Sequence, residues 1–291
     1  MKCFGCPRKC AAERTETFGN GYCKMPESPI VARAGLHFWE EPPISGKNGS
    51  GTVFFSGCSL GCVFCQNEVI SHKNFGKPIT VNRLAEIFKE LEDFGAHNIN
   101  LVNPTHYVHA ISDALKIYKP NIPIVYNSGG YDTIEAIKMA SEFVDVFLMD
   151  MKYRSSDRAL KYSKAADYPE VAENAILKCA EIIKENVFDS EGMLKKGLII
   201  RHLILPQGTN DAIEVIKWVE QNVPWAIFSL MSQYIPHGNL EDYKEINRKI
   251  TKREHYKVLD FAQNCKIQNI FTQDLESGDE KYIPSFDLSG V

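Results

Sequence analysis

Six short runs of nearly unbroken apolar residues punctuate the chain after residue 50, and no other feature restricts its fold as much. They are TVFFS (52–56), NINLV (98–102), IPIVYN (122–127), VDVFLMD (144–150), GLIIRHLIL (197–205) and AIFSLM (226–231). A strand with one wet face alternates polar and apolar residues, whereas an unbroken run suits a parallel strand covered on both faces. Amphipathic segments fill the intervals, near 81–95, 106–118, 132–142, 169–186 and 210–222. Thr80 is placed to cap the first and Asn210 the last. Thr251 and Glu254 have capping-box spacing ahead of a further helix to about residue 264. Six strand–helix units in succession predict a parallel sheet with right-handed crossovers, either an open doubly wound sheet or a curved partial barrel. The sequence carries no internal repeat and no low-complexity tract.

Two stretches stand outside this pattern. Residues 1–50 are rich in Cys, Gly and Pro and end in the loop-like EEPPISGKNGSG, which reads as a Cys-rich segment and linker ahead of a barrel over 51–273. Residues 274–291 are polar, with Tyr282, Ile283, Phe286 and Leu288 embedded, a tail that is either disordered or docked over the barrel. The formal net charge of −4 offers no basic footprint for nucleic acid or an anionic membrane. No apolar run approaches the ~18 residues that would span a bilayer. The opening MKCFGCPRKC lacks the apolar centre of a signal peptide, and the expected location is the cytoplasm.

Of the 9 cysteines, those at 3, 6, 10, 23, 58, 62 and 65 crowd the first part of the chain, while Cys179 and Cys265 stand alone as small buried hydrophobes. In a reducing cytosol, thiols at short spacing point to metal rather than disulfides. Cys58, Cys62 and Cys65 form CxxxCxxC on the loop leaving the first strand, at the end where parallel α/β folds bind ligands. Three thiolates leave one iron of a [4Fe-4S] cube open to a substrate or cofactor, whereas electron-transfer clusters usually take four. A structural zinc would need a fourth ligand, and His72 is the nearest candidate. Upstream, Cys3, Cys6, Cys10 and Cys23 follow C-x2-C-x3-C-x12-C, with Gly19 and Gly21 supplying turns. Four thiolates satisfy a zinc ion, a single iron or an electron-relay [4Fe-4S] cluster. So short a segment buries no core, and a metal crosslink would account for its folding.

GCSLGCVFCQN (57–67), with Phe64 ahead of the last cysteine, resembles the cluster loop of radical S-adenosylmethionine enzymes. Within that superfamily the chain is similar to the pyruvate formate-lyase activating enzyme group, in particular a branch with an added N-terminal cysteine motif. The likeness runs from CFGCPRKC through NPTHY, YNSGGY, LMDMKY and IIRHLILP to YIPSFDLSGV. It implies a partial (β/α)6 TIM-like barrel and a [4Fe-4S] cluster on Cys58, Cys62 and Cys65. It implies S-adenosylmethionine chelating the open iron through its amino and carboxylate groups. An electron then cleaves the sulfonium to methionine and a 5′-deoxyadenosyl radical, which abstracts hydrogen. An anaerobic setting and an electron donor such as flavodoxin or ferredoxin go with this chemistry. The substrate is a glycyl-radical protein, a peptide or a small molecule.

The strand ends offer polar groups for such a cofactor. Asn103 and Thr105 follow the second strand and either hold an ammonium or carboxylate or merely cap the next helix. The resembling family carries a Gly-Gly-Glu type element there, which this sequence lacks. Asn127 and Ser128, ahead of paired glycines, suit ribose hydroxyls or a carboxylate, or else simply build a turn. Activating enzymes often place an aspartate at Asn127, where it contributes to a cation site; the asparagine weakens that expectation. Asp150 and Lys152 share one side of the fourth strand, suited to a zwitterion. Arg201, inside an apolar strand, needs an anionic partner. The resemblance gives it the cofactor carboxylate; the alternative is a structural pair with Asp150. His202 points to the opposite face and receives no function. His106, Tyr234 and His237 lie at mouth-facing ends, where they line a substrate cavity or simply pack. Two classes remain, a radical enzyme and a non-catalytic iron–sulfur electron carrier or redox sensor. The open iron and the polar series favour the enzyme.

Overall fold

The computed structural model describes residues 2–3, 5–275 and 284–291. Strands β1 (Ile30–His37), β2 (Ser50–Phe55), β3 (Ile99–Val102), β4 (Ile124–Ser128), β5 (Val146–Asp150), β6 (Leu194–Leu203), β7 (Ile227–Met231) and β8 (Asn269–Thr272) lie side by side in that order. From β2 to β8 each neighbouring pair is parallel, while β1 returns antiparallel along the free edge of β2. Spatial order equals chain order, without the reversal a doubly wound sheet requires. The strands therefore wind singly as a partial TIM-like barrel, and β8 does not close onto β1.

The connecting helices are α1 (Val81–Asp93), α2 (Val108–Ile117), α3 (Ile134–Ala140), α4 (Ser156–Ser163), α5 (Tyr168–Ile183), α6 (Thr209–Asn222) and α7 (Lys252–Gln263). Strand residues Val53, Phe55, Leu101, Tyr126, Phe147 and Phe228 share one buried core with helix residues Phe88, Ile111, Ile137, Ile176 and Val215. The alternate positions Val125, Val146, Leu148, Ile199 and Ile227 form a separate inner cluster around Ile44. The strands from β3 to β7 carry apolar residues on both faces, which is why their runs look nearly unbroken in the sequence.

Local signals set most boundaries. Thr80 accepts from Arg83 N at 3.1 Å, and Thr251 and Glu254 complete a reciprocal capping box. Asn210 is not the cap of α6. Gly208, turned by its N–H bond to the Leu205 carbonyl at 2.9 Å, occupies that position, while Asn210 Oδ1 accepts from Lys257 Nζ at 2.8 Å. Helix α4 is too short for its period to stand out.

The segment expected as a linker is part of the barrel. β1 extends the sheet, and the helical turn Pro42–Ser45 carries Ile44, fully buried, into the interior at the amino ends of the strands. Asn98, just ahead of β3, donates to the Ile44 carbonyl at 2.7 Å and accepts from Ser50 Oγ at 2.6 Å. The described part of the tail lies along β1, with Leu288 N–H donating to Ala32 O at 3.1 Å and Ala34 N–H to Ser289 O at 2.9 Å. Phe286 meets Phe54 edge-on with centroids 5.5 Å apart; Tyr282 and Ile283 fall outside the described residues. Among the described residues, no helix is long and apolar enough to cross a membrane.

Ile44→Ala opens a void in the closed amino end, and chemical denaturation should show a loss of about 2–5 kcal/mol. A change within experimental error would contradict the plug.

Candidate functional site

The loop after β2 crosses the carboxyl ends of the strands and runs into the helical turn Glu68–Ser71. Gly57 takes a left-handed backbone (φ 82°), and a side chain there would collide with Met25. Neighbouring elements brace the loop. His106 Nε2–H donates to the Ser56 carbonyl at 2.7 Å, the Asn103 side-chain amide to the Gly57 carbonyl, and Val63 N–H to the Tyr162 carbonyl at 2.9 Å. Asn103 itself sits at φ 59°, a conformation asparagine tolerates well.

Each of the three thiols has a donor aimed at it. Leu60 N–H lies 3.3 Å from Cys58 Sγ, Ser163 Oγ 3.0 Å from Cys62 Sγ, and Ser71 Oγ 3.2 Å from Cys65 Sγ. Burial, with Cys62 and Cys58 adding to it, pushes the Cys65 thiol up to about 12. Cys62 is raised by burial too, against the pull of Lys152. Three thiolates here therefore call for a positive centre. Soft sulfur donors with hydrogen bonds to each sulfur fit an iron–sulfur cluster. Among the described residues, no three His, Cys, Asp or Glu side chains stand ready to hold a metal ion. His72, the candidate fourth ligand, has its Nδ1 2.9 Å from Ser71 Oγ and lines a cavity beside Cys58.

Phe64 of the loop shares a small cavity, about 30 Å³, with Asp150, Lys152, Arg201, Leu203, Leu205 and Met231. Asp150 at the end of β5 is in register with Arg201 of β6. Arg201 Nε donates to Asp150 Oδ1 at 2.8 Å, Nη1 to Glu40 Oε2 at 3.1 Å and Nη2 to Asn127 Oδ1 at 2.7 Å. Glu40 Oε1 accepts from Asn100 and Asn127, each at 3.2 Å. Lys152 Nζ reaches Asp150 Oδ2 at 2.6 Å. Burial alone would raise the Asp150 carboxyl, but Arg201 and Lys152 outweigh it and hold the group below its ordinary value. Next to Glu40, Glu41 is buried with one oxygen unpartnered, and burial raises its pKa. Asp150, Lys152, Arg201 and Asn127 are thus brought together, with both cations bonded to Asp150.

Thr105 and Ser128 do not join this group. Both donate to Asp132, which also accepts from Tyr126 at 2.8 Å. Burial raises the Asp132 pKa. The paired glycines serve the same packing, because a side chain on Gly130 (φ 81°) would strike the Asp150 carbonyl. Asn103 and His106 brace the cluster loop. Tyr234 is buried, donates to the Ile246 carbonyl at 2.7 Å and flanks Phe64. His237 is half-buried. His202 Nδ1–H bonds to Met151 O at 2.7 Å on the opposite face from Arg201.

A wider cavity of about 350 Å³ opens beside Cys58, walled by Tyr22, Cys23, Lys24, Gly61, Glu68 and Lys164 among others. Behind it Cys3, Cys6, Cys10 and Cys23 line one further cavity of about 20 Å³ with Arg14 and His106. Burial dominates in pushing the Cys6 thiol up to about 12; a backbone hydrogen bond from Arg8 opposes it, and the other three thiols add to it.

Sequence reasoning missed Glu40, Glu41, Asn100, Asp132, Ser71 and Ser163. A buried arginine demands carboxylates, but nothing local in the sequence points to Glu40, 161 residues away, as one of them. Arg201→Met leaves Asp150 and Glu40 without their shared cation and should cost roughly 3–5 kcal/mol in denaturation. The Asp150 share of that stability is present above the ordinary carboxyl value of 3.8 and fades as pH falls through its lower folded value. A pH–stability profile unchanged by Asp150→Asn in acid would contradict this.

Residues 52–219 match the model of the radical SAM superfamily. A relative in Methanocaldococcus jannaschii, described as an uncharacterized protein, is 31% identical over 282 residues, spanning 92% of this chain and 76% of its own. Among solved structures, Streptococcus suis SuiB bound to S-adenosylmethionine is similar at TM-score 0.52 and 15% identity, over 75% of this chain and 48% of SuiB. SuiB bound to its precursor peptide SuiA gives the same TM-score over 46% of that chain. This chain thus spans about half the length of SuiB, and at such identity the likeness concerns the fold alone.

Proposed function

The chain belongs to the radical SAM superfamily, and from that premise we propose that it is an activating-enzyme-like radical enzyme holding a [4Fe-4S] cluster on Cys58, Cys62 and Cys65. When bound, the cluster supplies the electron that splits S-adenosylmethionine reductively and so yields a 5′-deoxyadenosyl radical for hydrogen abstraction. The observation carrying this reading is a three-thiol loop, each sulfur with its own hydrogen-bond donor, facing a carboxylate and an ammonium.

This chain's residues bind and orient. Lys152, the most exposed member of the charged group at 25%, offers a cation to the cofactor carboxylate. Asp150, held ionised by Arg201 and Lys152, accepts from ribose hydroxyls or the amine. Asn127 is within reach of the same ligand, while Arg201 fixes Asp150 and contributes its charge. Thr105 and Ser128 act through Asp132 by shaping the strand ends. Phe64 walls the inner cavity, with Tyr162 and Tyr234 packed edge-on against its ring.

The substrate in this reading is a polypeptide, either a glycyl-radical protein or a peptide. A neighbour in fold that is bound to its precursor peptide supports it. An electron donor of the flavodoxin or ferredoxin type and a cytoplasmic location belong to the same proposal. So does a second metal centre on Cys3, Cys6, Cys10 and Cys23. A mere electron carrier has no use for a zwitterion pocket, which sets that alternative second.

Anaerobically reconstituted, reduced protein should show a cluster EPR signal that changes on adding S-adenosylmethionine and vanishes when all three loop cysteines become alanine. A signal that survives that substitution and still responds to S-adenosylmethionine would overturn the assignment. Lys152→Met should weaken S-adenosylmethionine roughly ten- to hundred-fold, the loss of one charged hydrogen bond of about 1.5–3 kcal/mol, with the cluster retained. Unchanged affinity would remove Lys152 from the pocket.

A further inference from the structure

Two side chains of the N-terminal cysteine segment, Arg8 and Tyr22, bond to the cluster loop. Arg8, between Cys6 and Cys10, donates from Nε to Ser59 O at 2.7 Å and from Nη2 to Leu60 O at 3.3 Å and Ser163 O at 2.9 Å. Its Nη1 donates to Lys164 O at 2.5 Å. Ser59 and Leu60 lie inside the CxxxCxxC loop. Ser163 and Lys164 end α4, where unpaired helix carbonyls attract a cation, and Ser163 Oγ is the donor to Cys62 Sγ. The guanidinium lies 4.1 Å from the ring centre of Tyr22 and 5.3 Å from that of Tyr131. Tyr22, next to Cys23, donates its own hydroxyl to Leu60 O at 3.0 Å. His106, whose buried Nδ1 has no hydrogen-bond partner, lines the four-cysteine cavity while its Nε2 braces Ser56.

We propose that Arg8 is a positioning residue through which the four-cysteine segment, once closed on a thiophilic metal centre, holds the three-cysteine loop and tunes the cluster bound there. This rests on the reading of two metal centres. The segment has too little apolar surface to fix Arg8 by packing, whereas a metal crosslink between Cys6, Cys10 and Cys23 pins the turns on both sides of it. A planar guanidinium holds its donors to carbonyls of two segments in one fixed fork; a lysine ammonium is a compact charge with no such fork.

The test compares Arg8→Met, Arg8→Lys, Tyr22→Phe and the pair Cys3→Ser with Cys10→Ser, by zinc and iron analysis and by EPR of the reduced cluster with and without S-adenosylmethionine. Arg8→Met and Arg8→Lys should keep both metal loads yet alter the cluster's EPR signal and reduction midpoint, and weaken S-adenosylmethionine roughly tenfold. Tyr22→Phe, which loses one hydroxyl and keeps the stacking ring, should shift them in the same direction by less. The double serine variant should lose only the N-terminal metal and reproduce the Arg8→Met signal. An unaltered cluster signal in both Arg8 variants overturns the proposal, and so does a double serine variant that matches wild type. Failure of the two-centre reading is distinct, since wild-type protein would then contain no metal beyond that lost with Cys58, Cys62 and Cys65.

Discussion

A guanidinium inside a strand bundle cannot stand without carboxylates, and Arg201 takes two from distant parts of the chain. Asp150 comes from the adjoining strand in register, and Glu40 from the segment that plugs the amino end. Desolvating three charges is tolerable only because their geometry is good and the asparagines Asn100 and Asn127 complete the bonding. The network fixes β5 against β6, ties Glu40 to the interior, and leaves Lys152 at the mouth beside the cluster loop. Stability and pocket shape thus share the same atoms.

The three-thiol loop depends on its surroundings in a similar way. Burial raises Cys62 and Cys65, and a serine hydroxyl waits at each of those two sulfurs. Those donors come from α4 and from the turn after the loop, and they would strengthen bonding to thiolates once a positive centre arrives. At the ends of β3 and β4, Asn103 holds the loop's base together with His106, and Thr105 and Ser128 converge on Asp132.

The barrel was legible because its strands from β3 to β7 carry apolar residues on both faces and its helices keep a clean period. The antiparallel strand β1 escaped notice, since IVARAGLH has an alternation broken by small residues and lies among turn signals. The cysteine loop and the Asp150, Lys152 and Arg201 group were legible from spacing and from charge in an apolar run. Glu40 and Glu41 were not, because they reach Arg201 and Ser229 across the interior and no local period encodes such a contact. Asp132 was overlooked for the opposite reason. It lies one residue beyond the paired glycines and looks like an exposed turn residue, while the fold buries it almost completely.

The account centres on cluster loop and charged pocket acting jointly on one cofactor. The most direct measurement is chromatographic detection of 5′-deoxyadenosine after chemically reduced, cluster-loaded protein meets S-adenosylmethionine without substrate. Joint action predicts slow formation of 5′-deoxyadenosine and methionine, abolished by Cys62→Ala and slowed in Asp150→Asn protein that retains its iron. No 5′-deoxyadenosine from protein with a full, reducible cluster would contradict it.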